Sequence, residues 1–410
     1  MKNSHLNKLL HKPMTRKEFL RVGTLGVISI FGVGGVITEL LTHAQTPYVA
    51  GEAESGTKGG TTTLDAIATA SAGEALEFGT SSIPASPSIG FASAAVWQDD
   101  NIRNGIDSTI NPNNSSVAAV INKDAADMQA AGITWVRYWP SIATPGYLAG
   151  IVQLFKNHGI SMIYCYNLGT DASNESAVIS SLNSIVPAVS AVGCHVWEIG
   201  NEMNLKSSPW TVNNPVGNYC IRLKDAYTTI KTNDPSAFVI SGGISYNTSY
   251  TADGSSTSDS WFNQFCSSAN GMWNYCDGVG IHPYSDSNTV GVFSALSDTR
   301  SAISNASGGS NFAKKPLCIT ELGWYWEPSD YYGNQHGGVS PASESERDSV
   351  WAATMNQLAS NGINGGTFPV CYYTWYDGYS NTGYGVTTYT GSTSRNYSGL
   401  YTAMQNYKLP

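Results

Sequence analysis

Several chemistries are missing from this chain of 410 residues. It holds no GxSxG elbow, no Walker loop and no HExxH, and its seven histidines are scattered without metal-ligand spacing. Serine-nucleophile, nucleotide-phosphate and zinc-peptidase readings therefore have no support, and neither a cofactor nor a metal is expected. Basic charge is scarce: 21 Lys and Arg stand against 30 Asp and Glu, a net charge of −9. That balance argues against a nucleic-acid surface and suits a soluble domain acting on a neutral ligand. Cysteine is sparse and odd in number, at seven. Cys266 and Cys276 flank a short loop and are candidates to pair outside the cell. Cys165, Cys194, Cys318 and Cys371 fall in predicted strands and read as buried thiols, and Cys220 sits on a predicted helix.

What basic charge there is gathers at the start. Residues 1–44 carry Lys2, Lys8, Lys12, Arg16, Lys17 and Arg21 against Glu18 and Glu39, and they lead into VGTLGVISIFGVGGVITELL, Val22 to Leu41. Such a run is about long enough to span a bilayer, and positive charge before it places the N-terminus in the cytoplasm with the rest outside. TRKEFL, Thr15 to Leu20, resembles a twin-arginine export signal with Lys17 in place of the second arginine, and Thr42-His43-Ala44 offers a small-residue cleavage site. Residues 1–44 are thus expected to act as a secretory signal or an uncleaved anchor, giving an extracellular or cell-surface protein. Residues 45–86, rich in Gly, Ser, Thr and Ala, read as a flexible linker.

Beyond the linker, short β-rich apolar runs alternate with polar turns and helix-like stretches, with no repeat at solenoid or propeller period. The predicted strands are SIGFASA (from Ser88), TWVRYW (Thr134), SMIYCYN (Ser161), HVWEIGN (His195), FVISGGI (Phe238), GVGIHPY (Gly278), PLCITEL (Pro316) and TFPVCYYTW (Thr367). Helical patterns fall at Ser116–Ala131, Pro145–His158, Glu175–Val192, Val216–Thr232, Val292–Ala306 and Ser343–Ser360. This alternation predicts an α/β fold, a (β/α)8 TIM barrel over residues 87–410, preceded by an apolar helix and the linker; Rossmann-like winding is the alternative.

In such a barrel the strands are buried in their middles and open at their C-terminal ends onto a cleft. WEIGNEMN carries Asn201 and Glu202 to that end of the fourth strand, and ITELGW carries Glu321 to the matching place on the seventh. Glu198, inside the fourth strand, reads as a structural ion partner rather than a second cleft acid. GIHPYSD puts His282 and Tyr284 two apart, on one face of the sixth strand, and WVRYWP puts Arg137 near the end of the second.

An Asn-Glu at the end of strand four joined to a Glu at the end of strand seven resembles glycoside hydrolase clan A, which includes families 5 and 39. The resemblance covers about residues 86–410. It implies a retaining glycosidase acting on a β-linked carbohydrate, an oligo- or polysaccharide, with Glu202 as acid/base, Glu321 as nucleophile and Asn201 on the sugar 2-hydroxyl. It further implies that Arg137 keeps the nucleophile ionised, Tyr284 hydrogen-bonds it, His282 contacts substrate, and Trp375 of CYYTWYDG is the platform beneath the cleaved sugar. Where the clan often has a His after strand three, this sequence reads YCYNLGT.

The chemistry asks for this arrangement independently. Retaining cleavage needs two carboxyl groups about 5–5.5 Å apart, one protonated and one ionised, and mutual repulsion helps separate those states. Sugar faces need aromatic platforms. Besides Trp375, candidates are Trp139, Tyr166, Trp210, Tyr246, Trp324 and Trp326, with the aromatic loop from Gly323 to about Pro341 shaping a groove. A non-catalytic carbohydrate-binding barrel and a transglycosylase remain the rival readings.

Overall fold

Eight parallel strands form one sheet in the order β8-β1-β2-β3-β4-β5-β6-β7. They are β1 Ser93–Gln98, β2 Trp135–Trp139, β3 Ser161–Tyr166, β4 Val196–Asn201, β5 Phe238–Ser245, β6 Val279–His282, β7 Leu317–Ile319 and β8 Val370–Tyr372. Leu322, just past β7, closes the ring: its N–H donates to the Cys371 carbonyl at 2.9 Å, and the Tyr373 N–H donates to its own carbonyl at 2.9 Å. The computed structural model describes residues 63–65, 75–77 and 89–408, the last apart from 142–143, 169–174, 206–214, 247–257, 285–288, 325–340, 342, 362–367, 377–383 and 391–392. The architecture is the expected (β/α)8 barrel.

The helices are α1 Asp100–Gly105, α2 Ser115–Ala130, α3 Pro145–Asn157, α4 Glu175–Ser190, α5 Pro215–Asn233, α6 Ser258–Phe265, α7 Thr289–Asn305, α8 Glu344–Asn361 and α9 Gly399–Asn406. All six predicted helices are present. The sequence pattern missed α1, α6 and α9, which at eight residues or fewer barely complete a periodic face.

The first strand begins later than predicted, at Ser93 rather than Ser88, and runs on through Ala94, Ala95, Val96 and Trp97, all buried. A strand covered on both faces reads as a continuous apolar run and gives no alternation to mark its start. Two apolar layers result. Ala94, Val96, Ile163, Val196, Ile240, Cys318 and Cys371 fill the barrel interior, while alternate strand residues such as Trp97, Tyr138, Tyr164 and Trp197 pack outward against the helices.

Residues Met1–Ser82 and Ile83–Pro410 are separate units. Within the stretch read as a linker, Thr63–Asp65 and Ala75–Glu77 pair antiparallel. The apolar run Val22–Leu41 lies outside the described residues, among which no helix is long and apolar enough to cross a membrane.

The candidate Cys266–Cys276 pair is not formed: all seven cysteines are free and buried. The Cys276 thiol instead points to the Met272 carbonyl at 3.5 Å. Burial pushes Cys276 up to about 12, which leaves it a protonated, inert thiol.

Candidate active site

Strand alternation carries a polar layer to the C-terminal end of the barrel. Two residues past Val96 comes Gln98, and two past Val196 comes Glu198; Cys371 is followed by Tyr373, and Arg137 lies level with Val96 and Ile163 in the ladder. Glu202, Tyr284 and Glu321 then stand just beyond β4, β6 and β7.

Glu202 takes a left-handed backbone, φ 47°, which is uncommon for a residue with a Cβ. The turn is held on both sides. The Glu202 N–H donates to the Gly243 carbonyl at 2.8 Å, and the buried Asn204 amide both donates to the Ser245 carbonyl at 2.9 Å and accepts its N–H at 3.1 Å. The second half of WEIGNEMN thus ties the loop after β4 to the end of β5.

Arg137 is wholly buried and spreads its guanidinium over three oxygen partners, with the Cys165 sulfur 3.4 Å from Nη2 as a fourth. Nε donates to Glu198, Nη1 to Glu321 Oε1 at 2.6 Å, and Nη2 to Asn201 Oδ1 at 2.6 Å. Burial opposes its charge, but Glu198 and Glu321 outweigh that and keep the guanidinium charged. Leaving such a buried charge with no carboxylate partner would cost about 3–5 kcal/mol. Glu321, 5% exposed, receives a second donor at Oε2, the Tyr284 hydroxyl at 2.9 Å. Burial and then the Glu321 charge push the Tyr284 phenol well up, so it stays a donor.

His282 stands between the two cleft acids. Its Nδ1 lies 3.0 Å from Glu202 Oε1 and 3.6 Å from Glu321 Oε2, and its Nε2 lies 3.1 Å from Thr320 Oγ1. Burial disfavours the charged ring, but Glu321 and Glu202 more than compensate, and the pKa is raised above its ordinary value. The ring fits only because its neighbour on β5 has no side chain: a Cβ on Gly243 would sit 2.1 Å from His282 Nε2. Gly243→Ala is therefore expected to displace the imidazole and to destabilise the fold by about 1–3 kcal/mol, read by denaturant titration.

One oxygen of Glu202, one of Glu321 and a ring nitrogen of His282 all lie within 4.8 Å of one another. These are the atoms that would meet a cation here. Both Glu321 oxygens already accept strong donors and Arg137 supplies the positive charge, so the set is arranged for proton and carboxylate chemistry rather than as a ligand shell.

Of the residues chosen from sequence, Arg137, Asn201, Glu202, His282, Tyr284 and Glu321 are brought together. Trp375 is not. It is 0% exposed, belongs to the outer apolar layer and packs edge-on to Tyr401, with ring centroids 6.1 Å apart. The strand ends at Tyr372, so alternation does not extend to Trp375, whose N–H turns to the Val96 carbonyl at 2.9 Å. Among the described residues an aromatic that does reach the mouth is Tyr373, partly exposed and edge-on to Tyr284 at 6.5 Å and Tyr384 at 5.7 Å. Burial and the Glu321 charge raise its pKa, and a hydrogen bond with Gln98 opposes that. Its signal in the sequence was the two-residue step from Cys371. Trp324 and Tyr166 are also buried, Trp139 and Tyr246 are partly exposed, and Trp210, Trp326 and most of the Gly323–Pro341 loop lie outside the described residues.

No protein-family model matches the sequence, and no curated protein matches it. Among solved structures the chain is similar to a GH39 β-xylosidase from Caulobacter crescentus, at 13% identity over 77% of this chain and 70% of that one, with a TM-score of 0.53. It is similar to the GH39 enzyme from Xanthomonas axonopodis pv. citri, at 14% identity over 78% and 67%, TM-score 0.53. It is also similar to a β-glucosidase from Thermotoga maritima in complex with deoxynojirimycin, at 12% identity over 77% and 97%, TM-score 0.50. At these identities the likeness establishes the fold: the chain is a (β/α)8 barrel of the kind these glycosidases are built on.

Proposed function

We propose that the protein is a glycoside hydrolase of clan A that cleaves β-linked carbohydrate with retention of configuration. The observation that carries this reading is the pair of cleft carboxylates, Glu202 and Glu321, with oxygens within 4.8 Å of each other at the C-terminal mouth. That separation suits the two-step mechanism, whereas an inverting enzyme keeps its carboxyls about 6.5–9.5 Å apart to admit a water.

Glu321, held by Arg137 and Tyr284, attacks the anomeric carbon. Glu202 gives its proton to the departing oxygen, then takes one from the water that releases the sugar. The Asn201 carbonyl oxygen is engaged by Arg137, which turns its amide nitrogen into a donor for a sugar hydroxyl. Tyr373 supplies the aromatic wall. The β-xylosidase and β-glucosidase neighbours favour a β-linked substrate. The test is the anomeric configuration of the first product from a panel of aryl β-glycosides and polysaccharides, followed by NMR. A β product is expected. An inverted product removes Glu321 from its role, and no product from any substrate supports a binding barrel instead.

Residues 1–44, we further propose, export or anchor the barrel outside the cell, as their charge and apolar run support. A chain lacking them should be soluble, folded and as active as the full chain. Fractionation should place the full chain in the membrane or medium; recovery only from the cytosol would count against export.

A further inference from the structure

Glu198 is a fully buried carboxyl group to which the proposed chemistry gives no task. We infer that Glu198 divides the charge of Arg137 with Glu321 and so sets how basic, and how nucleophilic, the Glu321 carboxylate is. The inference rests on the reading of Glu321 as nucleophile. Glu198 is then a positioning residue that acts through Arg137 without touching substrate.

The geometry is that of one cation between two anions. Arg137 gives Nε to Glu198 and Nη1 to Glu321, and the side chains of Arg137 and Glu198 are completely shielded from water, so screening is weak. Glu198 cannot turn away, because its other oxygen accepts the Gly243 N–H at 2.9 Å. A guanidinium facing one carboxylate strongly favours its ionised form and leaves it a poor base. A second carboxylate on the same guanidinium withdraws part of that attraction and adds repulsion, so Glu321 meets a weaker net positive field than Arg137 alone would give it.

The neutral thiols and phenols around the network add no charge to this balance. Burial pushes up the thiols of Cys165, Cys318 and Cys371, as it does the phenols of Tyr219, Tyr284 and Tyr373, so these stay neutral. His282, 3.9 Å from Glu198 through Nε2, and Glu202 are the other titrating groups that face it.

The test is the acid limb of kcat/KM against pH in Glu198→Gln and Glu198→Asp, paired with titration of the Glu321 carboxyl by 13C NMR in Glu-labelled protein, assigned with Glu321→Gln. In Glu198→Gln the limb and the NMR midpoint should both move to lower pH, by about one unit. Turnover of substrates with poor leaving groups should fall several-fold. Glu198→Asp keeps the charge but draws it back from Arg137, so the move should be smaller and in the same direction; it carries the test if the Gln variant does not fold. If Glu198 only holds Arg137 in place, its loss frees Arg137 from Glu321 and both readouts move to higher pH. That result, or no movement, overturns the inference. If the wild-type protein turns over no glycoside, the glycosidase reading fails by itself, and the NMR titration still decides whether Glu198 divides the charge.

Discussion

Glu321→Ala is expected to lower turnover of every β-glycoside, with good or poor leaving groups alike, by a factor on the order of 10⁵ or more. The covalent step has no substitute, because attack requires a carboxylate on the face of the sugar opposite the leaving oxygen. The fold should persist: Arg137 keeps Glu198 and Asn201 as partners, so its charge is not left alone in the barrel. Azide in the vacated space should attack directly and yield the inverted glycosyl azide, a product the intact enzyme has no route to. Residual activity within about tenfold of wild type, in a variant shown by circular dichroism to be folded, would mean that another group is the nucleophile.

Glu202→Ala should fail differently. Substrates whose leaving groups need little protonation should still form the glycosyl intermediate, while poor leaving groups lose about 10²- to 10⁴-fold. The intermediate then accumulates, since no base remains to activate water. Azide should restore the second step and give the retained glycosyl azide. The alkaline limb of the pH–rate profile should vanish with the proton donor. Equal losses on both classes of leaving group, with no effect of azide, would refute the assignment of Glu202. His282 makes this variant informative in a second way: Glu202 is one of the carboxylates that raise its pKa, so NMR titration of the ring should move toward its ordinary value.

Much of this was legible in the chain because a barrel repeats one simple rule. Apolar runs of strand length alternating with helical periods define the eight βα units, and the C-terminal end of each strand is where a polar residue can be afforded. Glu202 and Glu321 were recognisable by standing at such ends after apolar runs. His282 and Tyr284 were recognisable by their two-residue spacing. The start of β1 was not, because a strand buried on both faces loses its alternation. The region around Trp375 was misread for a related reason: alternation says which side a residue takes only while the strand lasts. Where β8 stops depends on Leu322 and Val96, which are remote in sequence and accept the N–H groups of Tyr373 and Trp375.

By itself, then, the sequence determined the barrel, the two carboxylates and the strand ends that carry them, since all of these follow from local periodicity and position along a strand. Only the tertiary structure decided which aromatic reaches the mouth, that Cys266 and Cys276 remain separate thiols, that Gly243 makes room for His282, and that Glu198 and Glu321 hold one arginine between them. Apart from the two cysteines, which lie in loops, those are contacts between strands whose order is known in advance but whose register is not. Charge sharing and steric fit depend on separations of a few ångströms across the barrel, and such distances arise only when the ring closes.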